Sequence, residues 1–434
     1  MGPVLELGEY DRGVVSVGEP SPADLDLTAR LNEEQSRKLE LRWLANGTLE
    51  AVSSSWVGVV ELDAATVRIR PKFAGYELGV LKMLAYTVGH TSLRRLSSTR
   101  MLGSGSDLLD LICLLLEGEV KLLIRDGLIR NYVPEEASLP ALRGSLRYRE
   151  QATRRFGQLD TLECRFDDFH ADIAENQLLR AGLSIAARLC SSSELTRSLR
   201  RLDATLAEVA SRPAHRPPSS EADITYSRRN EQYRFAHQLC NLLIDRLGVD
   251  DLFASGPIRS FAFLIDMNEA FENFVSTVIA EALAAEPWRL EPRRRVRSVI
   301  RNRATNRNYA SIVPDLALSK GRETVPVDAK YKLYGQGRKI STADIYQTFV
   351  YAYALSGGGE ARAAIVYPAS STRVSPHLEI RQVEGPVGAY LTGLGVHLVG
   401  LVEALDSPLA WGIALAETRD ALLSVLSAPA LSEV

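Results

Sequence analysis

The sequence predicts an α+β multidomain protein: a β-rich N-terminal region (1–78), a mainly helical middle region (79–250) and a C-terminal α/β region (251–434). Three patterns predict it. Short alternating runs with turn residues fill the first region, apolar residues at helical spacing fill the second, and strand and helix signals alternate in the third. A chain of 434 residues, at about 150 per domain, has room for two or three domains with real cores.

In the N-terminal region Asn46-Gly47 predicts a type I′ hairpin turn. Ser55 to Leu62 and Thr66 to Arg70 read as two further strands. In the second, Val67 and Ile69 alternate with Thr66, Arg68 and Arg70, predicting one buried and one solvated face. From Gly79 to Val209, clusters such as LLDLICLLLEGEVKLLI and ENQLLRAGLSIAARL carry the helical period. SRPAHRPPSS (211–220) interrupts it with three prolines, predicting a loop or linker. A second helical run, Arg229 to Leu247, leads into the α/β region, and LAETRDALLSVLSA adds a C-terminal amphipathic helix.

Composition excludes several classes. The longest apolar runs, 111–116 and 349–355, fall far short of the roughly 20 residues of a spanning helix, so no membrane association is expected. The start shows no basic n-region followed by an apolar stretch, which predicts a cytoplasmic protein. Four scattered cysteines without a C-x-x-C pair predict neither a disulfide framework nor a zinc knuckle. The six histidines show no H-x-x-x-H, and His237 with Cys240 has no second ligand pair. Lys plus Arg at 51 against Asp plus Glu at 54 leaves no global basic excess, so any nucleic-acid surface must be local. No Gly-Lys dipeptide exists, so a P-loop is absent and no nucleotide site is expected in this chain.

The chemistry concentrates in IVPDLALSKGRETVPVDAKYKLYG. Ile312–Leu318 and Thr324–Lys332 read as two strands joined near Lys320-Gly321. Side chains alternate along a strand, so Val325, Val327, Ala329 and Tyr331 share one face while Asp328 and Lys330 share the other. A hairpin in suitable register brings Asp315 to them. Two carboxylates beside an ammonium suit Mg²⁺, with Mn²⁺ equally open, and phosphodiester hydrolysis. An isolated D-x-K also fits a plain surface ion pair, so the context matters.

Upstream, apolar residues at 267, 270, 271, 274, 275, 278, 279, 282 and 283 mark an amphipathic helix with Glu272 at the border of its buried face and Glu269 opposite it. Glu272 is either a site carboxylate or an ordinary boundary residue. Downstream, Ser341 or Thr342 caps a helix on which Gln347 and Tyr351 share a face, to orient a phosphate or a water, or simply to pack. Between them RRRVRSVIRNRATNR (293–307) carries seven arginines and no acid. Arg293, Arg294, Arg295, Arg297, Arg301 and Arg303 are candidate contacts to the DNA backbone; a solvated basic face is the alternative.

Glu272, Pro314-Asp315, Asp328-Ala329-Lys330 and Gln347-x-x-x-Tyr351 resemble the PD-(D/E)XK nuclease superfamily. More closely, MNEAFENFV, VPDLAL, VDAKYK, DIYQ and VYP, with IRPK (69–72), GLIRNY (127–132), LRGSL (142–146) and ENQLLRAGL (175–183), resemble the McrC family, the nuclease subunit of McrBC-type restriction systems. The resemblance implies a C-terminal PD-(D/E)XK nuclease domain in which Asp315 and Asp328 hold Mg²⁺, Glu272 supports it and Lys330 is the catalytic lysine. Gln347 and Tyr351 are further site residues on the same ground. It also implies a McrB-like AAA+ GTPase ring as partner, methylcytosine-type double-stranded DNA as substrate, and a docking stalk made from the N-terminal and helical regions. Competing expectations are a non-cleaving activator of the motor and a nuclease of another defence system.

Overall fold

The computed structural model describes residues 2–33, 38–72, 77–87, 108–158, 160–211, 224–246, 260–332, 334, 339–357 and 360–427. Their contacts group into two compact units. One comprises Met1–Val59, Ala64–Gly105 and Leu264–Val434; the other comprises Val60–Asp63 and Ser106–Phe263. The chain is thus a mixed α/β multidomain protein, but its units are interleaved rather than consecutive. The N-terminal strands share a unit with the C-terminal α/β region, and so does the helix Glu77–Thr87. Tyr86 explains the latter: its ring packs edge-on against Phe274 and Trp411, at 5.4 and 4.9 Å.

In the first unit, Leu39–Leu44 and Thr48–Ser53 form an antiparallel hairpin completed by Arg12–Ser16. The connection is the three residues 45–47, and only Gly47 has positive φ, at 71°. A type I′ turn needs positive φ at two residues, so the expected turn is replaced by a three-residue loop closed by a left-handed glycine. A second sheet runs in the order Val4–Gly8, Thr66–Arg70, Trp56–Glu61, Phe261–Asp266. Thr66–Arg70 is therefore internal, and Thr66 is buried together with Val67 and Ile69 instead of facing solvent.

The sheet that positions the site has six strands, ordered Arg289–Pro292, Leu316–Lys320, Glu323–Ala329, Arg362–Ala369, Val387–His397 and Arg373–Arg381. Its three central strands are parallel. Such strands are covered on both faces, and Val325, Val327, Ile365, Val366 and Leu394 are all at most 2 % exposed. The crossover between the first two is the helix Thr342–Leu355, started by Ser341, whose hydroxyl accepts the Asp344 N–H. Ala352 of this helix packs on Ala363, Ala389 and Leu391. The helix Met267–Ala282 buries the face read from its spacing, with Phe271 and Phe274 wholly enclosed; Asp266 caps it by accepting from the Asn268 N–H.

The second unit holds the helices Leu108–Asp126, Ala174–Leu189, Ser193–Ala207 and Arg234–Arg246. Alongside these helices it contains three strands, within the stretch read as mainly helical. Asn131–Leu139, Leu162–His170 and the short Ser145–Leu146 form an antiparallel sheet ordered with Leu162–His170 in the middle. Alternation is the reason: the odd positions from Val133 to Leu139 are half-buried and the even ones exposed. Gly182 lets two helices meet, since a Cβ there would lie 2.2 Å from Cys240 Sγ. His237 is buried, bonded to Tyr226 and the Glu175 carbonyl, and burial holds its pKa down to about 4. The expected linker lies outside the described residues beyond Ser211.

Candidate active site

The hairpin of Leu316–Lys320 and Glu323–Ala329 pairs Leu316 with Val327 and Lys320 with Glu323, around Gly321 at φ 63°. One step past Leu316, this register sets Asp315 opposite Asp328. The single strand expected over 312–318 is broken: Arg307–Ile312 and Leu316–Lys320 belong to different sheets. Pro314 offers no N–H to a ladder, so pairing ends there and the chain turns. The turn is pinned twice, by the Arg293 N–H to the Asp315 carbonyl at 2.8 Å and by the Ala329 N–H to Asp315 Oδ2 at 2.7 Å.

Asp328 is 1 % exposed. Lys330 follows it past the strand end, with its own N–H donated to the Val366 carbonyl at 2.8 Å. Its Nζ stands 2.8 Å from Asp328 Oδ2. That contact is a close ion pair, and both Lys330 and Asp315 stabilise the Asp328 carboxylate through side-chain contact. The structure therefore brings Asp315, Asp328 and Lys330 together. Burial first, and then the charge of Asp328, push the Asp315 carboxyl up to about 7. Burial also raises Asp328, against the opposing pull of Lys330. For Lys330 burial works toward neutrality, but Asp328 and Asp315 outweigh it and the ammonium is favoured.

Glu272 lies at the half-buried border of its helix, as the spacing indicates, and Glu269 is exposed. The carboxylate of Glu272 is turned to Arg293, whose Nε donates to Oε1 at 2.8 Å. Arg293 reaches it from a left-handed backbone position, φ 45°. Among the described residues no three His, Cys, Asp or Glu side chains are grouped to hold one ion. Gln347 Nε2 donates to the Tyr351 hydroxyl at 2.8 Å, and that hydroxyl donates to the Val313 carbonyl at 3.3 Å. Tyr351 thus braces the turn that delivers Asp315. Burial raises its pKa, and both aspartates add to the shift.

The arginines divide. Arg293 is committed to Glu272 and Arg294 to Glu291, at 3.4 Å. Arg295, Arg297, Arg301 and Arg303 are exposed and, among the described residues, carry no ion pair.

Two clusters escaped sequence reasoning. Asp344 accepts from Lys332 Nζ at 2.8 Å and from the hydroxyls of Tyr334 and Ser341, and its charge acts on both Asp328 and Lys330. The available signal was two lysines at 330 and 332 on one side of a strand end. Glu9, 4 % exposed, accepts from the Tyr331 hydroxyl at 3.1 Å and the Lys72 N–H at 3.0 Å. No local pattern announces a contact of that sequence separation.

The chain is a mixed α/β protein that gathers two carboxylates and a lysine at the C-terminal end of the internal strand Glu323–Ala329. The family follows from the sequence: a family model described as McrBC 5-methylcytosine restriction system component matches residues 52–368. The chain belongs to that family. It is similar in fold to the Thermococcus gammatolerans structure described as a refined half-complex from a tetradecameric assembly of McrB AAA+ hexamers with bound McrC. That likeness has a TM-score of 0.63 and 17 % identity, and covers 97 % of this chain and 100 % of that one. The cryo-EM structure of the Thermococcus gammatolerans McrBC complex also matches, at TM-score 0.47 and 18 % identity over 64 % of this chain and 88 % of that one. No curated protein matches.

Proposed function

We propose that this chain is the DNA-cutting subunit of a McrBC-like, GTP-dependent restriction system, a cytoplasmic Mg²⁺-dependent endodeoxyribonuclease with a PD-(D/E)XK site. The observation that carries the reading is the convergence of Asp315, Asp328 and Lys330 at the turn after Pro314, in a chain of this family. Its partner in this reading is a McrB-type AAA+ GTPase ring, as in the assembly named for its structural neighbour. The ring supplies nucleotide hydrolysis and recognition of methylcytosine-type modification. The N-terminal strands and the second unit serve as docking parts.

The donor set fits a hard divalent cation. A buried and a half-buried carboxylate stand side by side, and the charge of Asp328 works against ionisation of Asp315, a strain that a cation between them relieves. Mg²⁺ is commonly held by one or two carboxylates, with waters completing its shell. Asp315 and Asp328 would hold it, and Glu272 would support them once released from Arg293. When bound, the ion lowers the pKa of a water and neutralises phosphodiester charge. Lys330, kept as an ammonium, stabilises negative charge on the attacked phosphate. The Gln347–Tyr351 pair holds the Asp315 turn in place, and the exposed arginines hold the DNA backbone.

A second reading has one observation in its favour: with Glu272 bonded to Arg293, the site lacks a third carboxylate. In that reading the chain activates the motor and does not cut. The test is cleavage of methylated and unmethylated plasmid with Mg²⁺, with and without the AAA+ partner and GTP. Partner-dependent cutting of methylated plasmid supports the nuclease reading. Partner binding and GTPase stimulation without cutting overturn it in favour of the activator.

A further inference from the structure

The strands Val296–Asn302 and Arg307–Ile312 form a sheet of their own, hydrogen-bonded to each other and, among the described residues, to no third strand. Every residue from Arg301 to Tyr309 is exposed, Tyr309 by 75 % and the neighbouring Ile300 by 41 %. A two-stranded ribbon whose tip is packed against none of the described residues gains little from burial. Its residues speak for a partner instead. Arg297, Arg301, Arg303 and Arg307 line it, and no acidic residue occurs from 292 to 314.

The ribbon's two ends meet the candidate site. Its incoming end follows Arg293, whose N–H bonds the Asp315 carbonyl, and its outgoing strand ends at Ile312, just before Val313-Pro314-Asp315. The ladder is irregular between Val296 and Ile300 and again between Ile300 and Arg301. Such bulges add local right-handed twist. A major groove about 12 Å wide admits a two-stranded ribbon, and six residues at about 3.3 Å each span roughly 20 Å, some six base steps.

We propose that the ribbon Val296–Ile312 enters the major groove of duplex DNA and fixes where the backbone crosses the Asp315–Asp328–Lys330 cluster. Arg301, Arg303 and Arg307 grip phosphates and base edges, while Ile300 and Tyr309 contact thymine methyl groups on the floor of the groove. The inference deepens the nuclease reading and rests on it for the cutting step.

The test uses the full-length chain without partner, GTP or divalent cation, so that binding is read apart from cutting. Fluorescence anisotropy on a short duplex compares the wild type with the triple variant Arg301→Ala, Arg303→Ala, Arg307→Ala and with Tyr309→Ala. Each residue is exposed, and matching far-UV circular dichroism checks the fold. The triple variant should bind at least about 10-fold more weakly, with its log–log salt slope reduced by about 3. Methyl green, a major-groove binder, should compete; netropsin, a minor-groove binder, should not. No binding by the wild type, equal binding by the triple variant, or competition by netropsin alone overturns the ribbon's role. Cleavage assays with partner and GTP separate the two ideas. A wild type that binds through the ribbon but never cuts removes the nuclease reading and leaves the ribbon; a triple variant that cuts with unchanged KM removes the ribbon and leaves the nuclease.

Discussion

Tyr331 donates its hydroxyl to Glu9 at 3.1 Å while its ring packs against Phe271 at 5.7 Å. The residue after the candidate catalytic lysine is thereby tied both to an N-terminal loop and to the helix that carries Glu272. Burial pushes the Glu9 carboxyl from 4.5 up to about 7, with the Lys72 N–H and the Tyr331 hydroxyl pulling the other way.

That shift has a sign. A carboxyl whose folded pKa lies above its unfolded value favours the fold while protonated. The benefit is complete below pH 4.5 and is lost as pH rises to about 7. The loss is about 3 kcal/mol, from roughly 1.4 kcal/mol per unit. Glu9→Gln keeps an acceptor for the Lys72 N–H and removes the titration. Thermal melts across pH 5 to 8 should show the variant gaining stability over wild type as pH rises; parallel curves would exclude ionisation of Glu9 as the cause.

Gly182→Ala should destabilise the second unit. The new methyl would sit 2.2 Å from Cys240 Sγ and 3.2 Å from Cys240 Cα, so backbone as well as side chain must yield. Overpacking of this kind costs about 1–3 kcal/mol. Urea unfolding should show a lower midpoint, and Cys240→Ala in the same background should recover part of it.

Tyr351→Phe removes the brace on Val313 and leaves Gln347 without its acceptor. The stability cost should be about 1 kcal/mol. If the brace positions Asp315, cleavage should fall several-fold at unchanged DNA affinity; unchanged cleavage would reduce Tyr351 to helix packing.

Parts of this arrangement were legible because local periodicity carries them. The helix Met267–Ala282 buries the positions its spacing marks, since 3.6-residue geometry needs no tertiary information. The Asp328–Lys330 adjacency follows from strand alternation in the same way. What escaped depends on distant or single residues. Pro314 ends a strand that alternation alone would have continued. The half-buried alternation of Asn131–Leu139 hid between long helical clusters. The turn of Glu272 toward Arg293 hangs on one left-handed backbone position, and Glu9 meets Tyr331 only through the folded sheet.

In the proposed nuclease, cutting rests on Asp315, Asp328 and Lys330, whereas motor docking rests on the N-terminal strands and the second unit. The most direct measurement reads both in one tube: plasmid cleavage and GTP turnover with the AAA+ partner, for wild type, Asp328→Ala and Lys330→Ala. The account predicts cleavage at least about 100-fold lower in each variant, with GTPase stimulation within about twofold of wild type. Retained cutting by a folded Asp328→Ala chain would contradict it, and so would loss of cutting and stimulation together.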